Sequence, residues 1–224
     1  MAQFVTLTAG DGYELPAYRA EPDGTPRGGV VVIQEIFGVN SQIQRTAERF
    51  ADEGYLAIAP ALQDRLEPGF LTDDYSPESF AAMRKMMERH DMEKTMLDVQ
   101  AAIDAAGEAG KVGITGYCFG GRVVWIAASR GMGLSAASGY YGGGVPSYID
   151  LDPKVPTEMH YGEDDRAIPL EQVEALREKH PNVDIYLYPG GHGFFNEDRT
   201  ESYHLESAER AFTRTLEFFA KHLS

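Results

Sequence analysis

The segment Val112-Gly113-Ile114-Thr115-Gly116-Tyr117-Cys118-Phe119-Gly120-Gly121 constrains this chain more than any other. An apolar, β-prone run ends in Gly-x-Cys-x-Gly, and a helix-compatible stretch follows. A strand, a tight turn and a helix arranged this way form an elbow that lifts one side chain out of a sheet. The turn leaves no room for side chains beside its centre, hence the flanking glycines, and the central residue is held in a strained backbone conformation. The following helix points its N-terminus at the sulfur, which favours thiolate over thiol. A lone cysteine is otherwise a small buried apolar residue. At this elbow Cys118 becomes a candidate nucleophile of hydrolytic chemistry.

The bulk properties agree with that expectation. A chain of 224 residues with 43% hydrophobic content suits one α/β domain over residues 1–224 with a full core. No apolar stretch approaches a membrane span, and Met1-Ala2-Gln3-Phe4 lacks the character of a signal peptide. The only cysteine cannot form an internal disulfide, so a cytoplasmic protein is expected. A net charge of −15 argues against nucleic-acid backbones and anionic membranes as partners, and is read as solubility.

Short strands alternate with helical stretches along the chain, predicting a mostly parallel central sheet with helices on both faces. Phe4–Leu7 and Leu15–Arg19 flank Gly10-Asp11-Gly12 as an antiparallel hairpin, and Gly29–Ile33 reads as a strand buried on both faces. Asn40 caps a helix to about Phe50, ended by Gly54, and Leu56–Ala59 is the next strand. Gln63 to Asp74 is polar and broken by Pro68 and Gly69, as in a long loop. Helices are expected over Pro77–Arg89, Glu93–Ala109, Pro169–Lys179 and Ser202–His222, and strands over Ser135–Tyr141, Val155–His160 and Val183–Tyr188. No repeat or composition break divides the chain. Met83, Met86, Met87, Met92 and Met96 recur at helical spacing, as core or pocket wall.

A thiol nucleophile needs a base, and the base needs an orienting acid. In the strand–elbow–helix class the order along the chain is nucleophile, acid, histidine. Acid candidates cluster in His160-Tyr161-Gly162-Glu163-Asp164-Asp165, just after a predicted strand; Asp165 is preferred and Asp164 is second. The base candidate is His192, in Pro189-Gly190-Gly191-His192-Gly193-Phe194-Phe195, where glycines let the loop fold back toward the elbow. His90, His180, His204 and His222 lie in or beside amphipathic helices and read as surface groups. His160 with Glu163, Asp164 and Asp165 mimics a metal cluster, but three are consecutive and no H-x-x-x-H or Cys partner exists, so no metal and no cofactor is expected. Gly116–Gly121 continues as Arg122-Val123 and is no P-loop, and Gly139–Gly144 lacks dinucleotide spacing. An oxyanion hole in this class uses the N–H after the nucleophile, here Phe119, and one from a loop after an early strand. Gln34-Glu35-Ile36-Phe37-Gly38 supplies that loop, with Ile36 as the donor, and Glu35 is either an exposed acid or a carboxylate acting on the thiol.

Taken together, Gln34-Glu35-Ile36-Phe37-Gly38-Val39-Asn40, Asp91-Met92-Glu93, the cysteine elbow, Gly139-Tyr140-Tyr141-Gly142, Gly162-x-x-Asp165-x-x-x-Pro169 and Gly191-His192 resemble the dienelactone hydrolase family. The resemblance runs in order over nearly the whole chain. It implies a single-domain α/β-hydrolase fold without a large lid, and a Cys118–His192–Asp165 triad. It also implies that Glu35 contacts the resting thiol and swings away when substrate binds. Family members open enol lactones such as dienelactone through an acyl-cysteine intermediate, so a small-molecule lactone or ester is the implied partner of a monomer or small homo-oligomer. The family's carboxylate-binding arginines are not matched: Phe80 and Asn196 occupy those positions, with Arg84, Arg89 and Arg199 nearby, and Gly193 stands where a serine often follows the histidine. Arginine clamps are not replaced by asparagine, so a less charged ester or a larger lactone is implied. Phe37, Arg84, Tyr140, Phe194, Phe195 and Arg199 are the substrate-binding candidates, with core packing as the other role of the aromatics. Two rivals are a thiol-based redox sensor or peroxidase using Cys118, which would lack a resolving cysteine, and a non-catalytic binding protein, although all triad candidates are present.

Overall fold

The alternating pattern becomes eight strands and six α-helices in a computed structural model that describes residues 1–224. The chain forms two units, Met1–Val112 and Gly113–Ser224.

In the first unit, β1 (Ala2–Thr8) and β2 (Glu14–Ala20) form the expected hairpin, with Leu7 opposite Leu15. β2 pairs antiparallel with β4 (Leu56–Pro60), which pairs parallel with β3 (Gly29–Ile33), giving the order β1-β2-β4-β3. Every residue of β3 and β4 is buried, which is why their sequences run apolar without alternation. Helix α1 (Ser41–Asp52) starts at Asn40, whose side chain accepts from the Ile43 amide, a cap worth about 1 kcal/mol. It buries Ile43, Ala47 and Phe50. Phe50→Ala would cost about 3–5 kcal/mol through lost transfer energy and the cavity left behind. Helices α2 (Pro77–Met87) and α3 (Met92–Ala106) are capped by Ser76 and Asp91. Helix α2 packs Met83 and Met86 on Phe37, with Phe80 and Tyr75 edge-on to the Phe37 ring. The expected helix to Ala109 stops at Ala106 and continues as a 3-10 turn over Gly107–Ala109.

In the second unit, β5 (Val112–Tyr117), β6 (Ala136–Tyr140), β7 (Thr157–Gly162) and β8 (Asp184–Tyr188) are parallel in that order. Their register aligns Tyr117, Tyr140, His160 and Tyr186 across adjacent strands. Helices α4 (Phe119–Arg130) and α6 (Leu205–Leu223) cover opposite faces. Ser138 and Tyr140 reach Thr215 of α6, whereas a Cβ on the intervening Gly139 would lie 3.4 Å from Gly121 of α4. Helix α5 (Leu170–Lys179) buries Val173 and Leu176.

Other boundaries shift as well, and two of the shifts have a clear local cause. Strand β7 begins at Thr157 rather than Val155, because Pro156 has no N–H to give the ladder, and it runs on to Gly162. Helix α6 begins at Leu205 rather than Ser202, because Asn196–Tyr203 closes successive turns and His204 is the cap. No helix is long and apolar enough to cross a membrane.

Candidate active site

The elbow forms where the glycine spacing requires it. Cys118, between β5 and α4, sits at φ 55 and ψ −112, a region a non-glycine residue occupies only under constraint. Its N–H donates to the Tyr140 carbonyl at 3.0 Å, and its carbonyl accepts from Gly121 at 3.0 Å, so the turn is tied to β6 and to the first turn of α4. Gly121 is there because of crowding: a Cβ would fall 2.6 Å from the Tyr140 carbonyl oxygen. Helix α4 carries no acid in its first turn and no side-chain cap, so its N-terminal dipole faces the elbow unopposed by a carboxylate of its own.

The loop after β8 folds back as its glycines predict. His192 places Nε2 3.1 Å from Cys118 Sγ and Nδ1 2.8 Å from Asp165 Oδ2. The other oxygen of Asp165 accepts from the amides of Ala167 and Ile168 at 2.8 and 3.2 Å. Asp165 is 5% exposed, and the neighbouring Asp164 faces solvent. Of the two acids the sequence left open, Asp165 is the one against the imidazole. Burial opposes charge on the His192 ring, but the adjacent Cys118 sulfur and the hydrogen bond to Asp165 outweigh it and lift its pKa to about 10. Cysteine, imidazole and carboxylate therefore form a continuous chain that favours a proton on the imidazole.

The remaining candidates separate. Phe119 opens α4 directly after the nucleophile. Phe195 stacks on Tyr117 at 4.8 Å, and Tyr141 meets the His192 ring edge-on at 5.2 Å. Tyr140 and Phe194 are fully buried, and the Tyr140 hydroxyl bonds Thr215 at 2.7 Å. They build a packed layer rather than an open surface: Tyr140 lies against Tyr117, His160 and Phe195, and Phe194 stacks on Tyr188 at 5.3 Å. Arg199 lies half-buried with its guanidinium over Gly193, the residue after His192. In the first unit, Glu35 and Ile36 lie in the loop after β3, separated from its end by one residue; Glu35 is 3% exposed, so it is not an exposed loop acid. Phe37 is a core residue of that unit, and Arg84 is exposed on α2.

One histidine departs from its expected environment, and two more have defined local roles. His180, expected at the surface, is 5% exposed, with Nε2 2.7 Å from the Ile149 carbonyl and the ring edge-on to Trp125. His204 caps α6. His160 turns away from the acidic loop and pairs with Glu158 at 3.0 Å, a partner two residues earlier on the same face of β7. No group of three His, Cys, Asp or Glu could hold a metal ion. Tyr141, at φ 35 and touching His192, was not singled out by itself; its signal was the Gly-Tyr-Tyr-Gly run, where glycines flank a corner.

The strand–elbow–helix with an acid and a histidine on the loops that follow is the arrangement of α/β-hydrolase-type proteins. A family model for the dienelactone hydrolase family matches residues 15–223, and the chain belongs to that family. A Synechocystis protein described as a "putative carboxymethylenebutenolidase" is 37% identical, over 94% of this chain and 93% of its own length. A carboxymethylenebutenolidase of Pseudomonas putida is 30% identical, over 98% of this chain and 97% of its own. The crystal structure of a "putative dienelactone hydrolase" from Klebsiella pneumoniae superposes with a TM-score of 0.87 at 31% identity, covering 98% of both chains. The protein is a hydrolase with an α/β fold of eight mostly parallel strands and six helices.

Proposed function

We propose that this hydrolase cleaves lactones or small carboxylic esters through an acyl-cysteine intermediate. The observation that carries the reading is the unbroken contact from Cys118 Sγ through His192 to the buried Asp165, at 3.1 and 2.8 Å. The Cys118 thiolate attacks the carbonyl carbon, and the Phe119 amide at the start of α4 donates to the oxygen that becomes negative, a contact worth about 3 kcal/mol. The tetrahedral adduct collapses and expels an alkoxide, which takes the proton held by His192. In a lactone that alcohol stays on the same molecule. Neutral His192 then removes a proton from water, hydroxide attacks the acyl-cysteine, and the acid leaves as the thiolate re-forms beside imidazolium. Asp165 keeps the ring in the tautomer that presents Nε2 to sulfur. No cofactor is needed for this sequence of steps.

Two assignments rest on the family resemblance: the Ile36 amide as second oxyanion donor, and Glu35 as the group restraining the resting thiol. Glu35→Gln should then slow acylation while leaving the fold intact; unchanged kinetics would remove Glu35 from the mechanism.

For the substrate we propose an ester or lactone without a carboxylate recognised by arginine. Phe80 packs edge-on against Phe37 at 4.9 Å, and Asn196 is fully buried with Oδ1 accepting the Asp198 amide. Neither offers the paired N–H donors that carboxylate recognition uses. A neutral aryl ester or lactone should show a higher kcat/KM than its carboxylated analogue, and the reverse order would discard this specificity. A lone thiol that must stay reduced suits a reducing compartment, and we place the enzyme in the cytoplasm.

The test of the mechanism is stopped-flow hydrolysis of a small aryl ester, with intact mass measured after acid quench. A burst and a +acyl adduct, both absent in Cys118→Ala, are expected. Equal turnover by Cys118→Ala would overturn the nucleophile.

A further inference from the structure

On the α6 side of β6 and β7, behind Cys118 and His192, lies a hydrogen-bonded cluster that the proposed chemistry does not use. Its centre is Glu158, 1% exposed on β7. Glu158 Oε1 accepts from Ser138 Oγ at 2.8 Å, from Thr215 Oγ1 at 3.0 Å and from His160 Nε2 at 3.0 Å. His160 Nδ1 lies 2.9 Å from the Tyr188 hydroxyl, which accepts from Arg214 Nη1 at 2.9 Å. One order of protons satisfies these groups: Arg214 donates to Tyr188, Tyr188 to His160 Nδ1, and His160 Nε2–H to Glu158. Thr215 gives its proton to Glu158, or to Ser138 at 2.8 Å, which passes its own to Glu158; on either route the Tyr140 hydroxyl, 2.7 Å away, is the donor to Thr215.

The cluster thus has two limbs. One runs out through His160 and Tyr188 to Arg214. The other runs from Glu158 through Thr215 to Tyr140, and Tyr140 belongs to the site's scaffold. Its carbonyl accepts the Cys118 N–H at 3.0 Å, and its ring lies 4.7 Å from that of Tyr117. The next residue, Tyr141, sits at φ 35, donates its N–H to the His160 carbonyl at 2.7 Å and touches the His192 ring. Cys118 at φ 55 and Tyr141 at φ 35 are two strained non-glycine residues meeting at the end of β6. Such strain persists only where neighbouring contacts over-determine it.

We infer that Glu158 and Thr215 are positioning residues: through the Tyr140 hydroxyl they hold the Tyr140–Tyr141 corner that fixes the Cys118 amide and the His192 ring. The inference rests on the reading of Cys118 and His192 as nucleophile and base. A network that serves stability alone would contain the same bonds, so the test must separate the limbs and read the site directly.

The variants are Tyr140→Phe, which keeps the ring and its stack, Thr215→Val, Thr215→Ser and Arg214→Gln. Each is measured for kcat, KM, Tm and the rate of Cys118 alkylation by iodoacetamide from pH 6 to 10. Tyr140→Phe and Thr215→Val should lower kcat about tenfold with KM changed less than about twofold, since misplacement of reacting groups acts on the chemical step. Alkylation should slow, or its pH profile move, in the same two variants. Thr215→Ser should retain wild-type values, and Arg214→Gln should lower Tm while leaving kcat in place. Unchanged kcat and alkylation in Tyr140→Phe would overturn the inference, as would a loss in Arg214→Gln equal to that in Thr215→Val. The underlying reading fails on a different result, wild-type turnover by Cys118→Ala.

Discussion

Asp165 and His192 are joined at 2.8 Å, and the carboxylate cannot turn away, because its other oxygen is held by the Ala167 and Ile168 amides. The acid is therefore oriented by backbone before it orients the ring. Pro169 contributes to this geometry as the residue from which α5 starts, closing the loop that carries both amides.

That arrangement separates two adjacent acids. Asp165→Asn should reduce kcat by about 10³–10⁴, because an amide at Oδ2 favours the wrong imidazole tautomer. Asp164→Asn, on an exposed side chain, should stay within about twofold of wild type. Steady-state ester hydrolysis by the two purified variants decides it, and equal effects would count against Asp165.

His192 should report the thiol next to it. Its pKa of about 10 stands far above the usual 6.5; burial works against the charge, and the Cys118 sulfur is the first influence raising it. A raised folded value gives stability that is fully present below about pH 6.5 and is lost as pH rises through about 10. Wild-type Tm should therefore fall more between pH 7 and 10.5 than that of His192→Gln. In Cys118→Ala the His192 ring protons, followed by NMR, should titrate well below the wild-type midpoint; an unmoved midpoint would rule out the sulfur as the cause.

The parts of the site that rest on local chemistry were legible in the sequence. Gly116 and Gly120 mark the elbow, Asn40 and Asp91 mark helix starts, and glycines around His192 mark a loop that folds back. Each of these signals spans only a few residues. Glu158 was not legible, because its meaning depends on Thr215, 57 residues away, and on which face of β7 it occupies. For His160 the sequence excludes a metal cluster with the acids that follow it, but does not show the pairing with Glu158 that strand alternation produces. His180 was read as a surface group because α5 is amphipathic, but it stands just past the helix end, where the chain turns inward beside Trp125.

Gly121 offers a sharp test of the elbow. In an ordinary helix, Gly→Ala gains about 1 kcal/mol. Here the new Cβ would stand 2.6 Å from the Tyr140 carbonyl oxygen and 2.8 Å from Gly142 Cα, both backbone atoms. The helix start must shift, and with it the Cys118 position. Gly121→Ala should lose more than about 100-fold in turnover and melt lower, since reacting groups tolerate little displacement. Gly107→Ala, whose Cβ meets nothing closer than 4.0 Å, should change neither.

Stability in the first unit depends on a different buried charge. Arg65 Nε donates to both oxygens of Asp98 at 3.0 and 2.8 Å, and its terminal nitrogens reach Asp11 at 2.9 and 2.8 Å. Asp98 is fully buried; burial raises its pKa, and Arg65 is the first influence opposing that rise. Arg65→Leu leaves a carboxylate without its counter-ion and should cost about 3–5 kcal/mol by urea unfolding at pH 8. An acid with a raised folded pKa favours folding in its neutral form, so the deficit should shrink as pH is lowered toward 5 and Asp98 takes up a proton. Adding Asp98→Asn to Arg65→Leu should recover most of the loss at pH 8, because the buried charge is then gone. If the deficit were the same at both pH values and in the double variant, the guanidinium would be acting through packing on Tyr13, which it covers at 4.2 Å, rather than through charge.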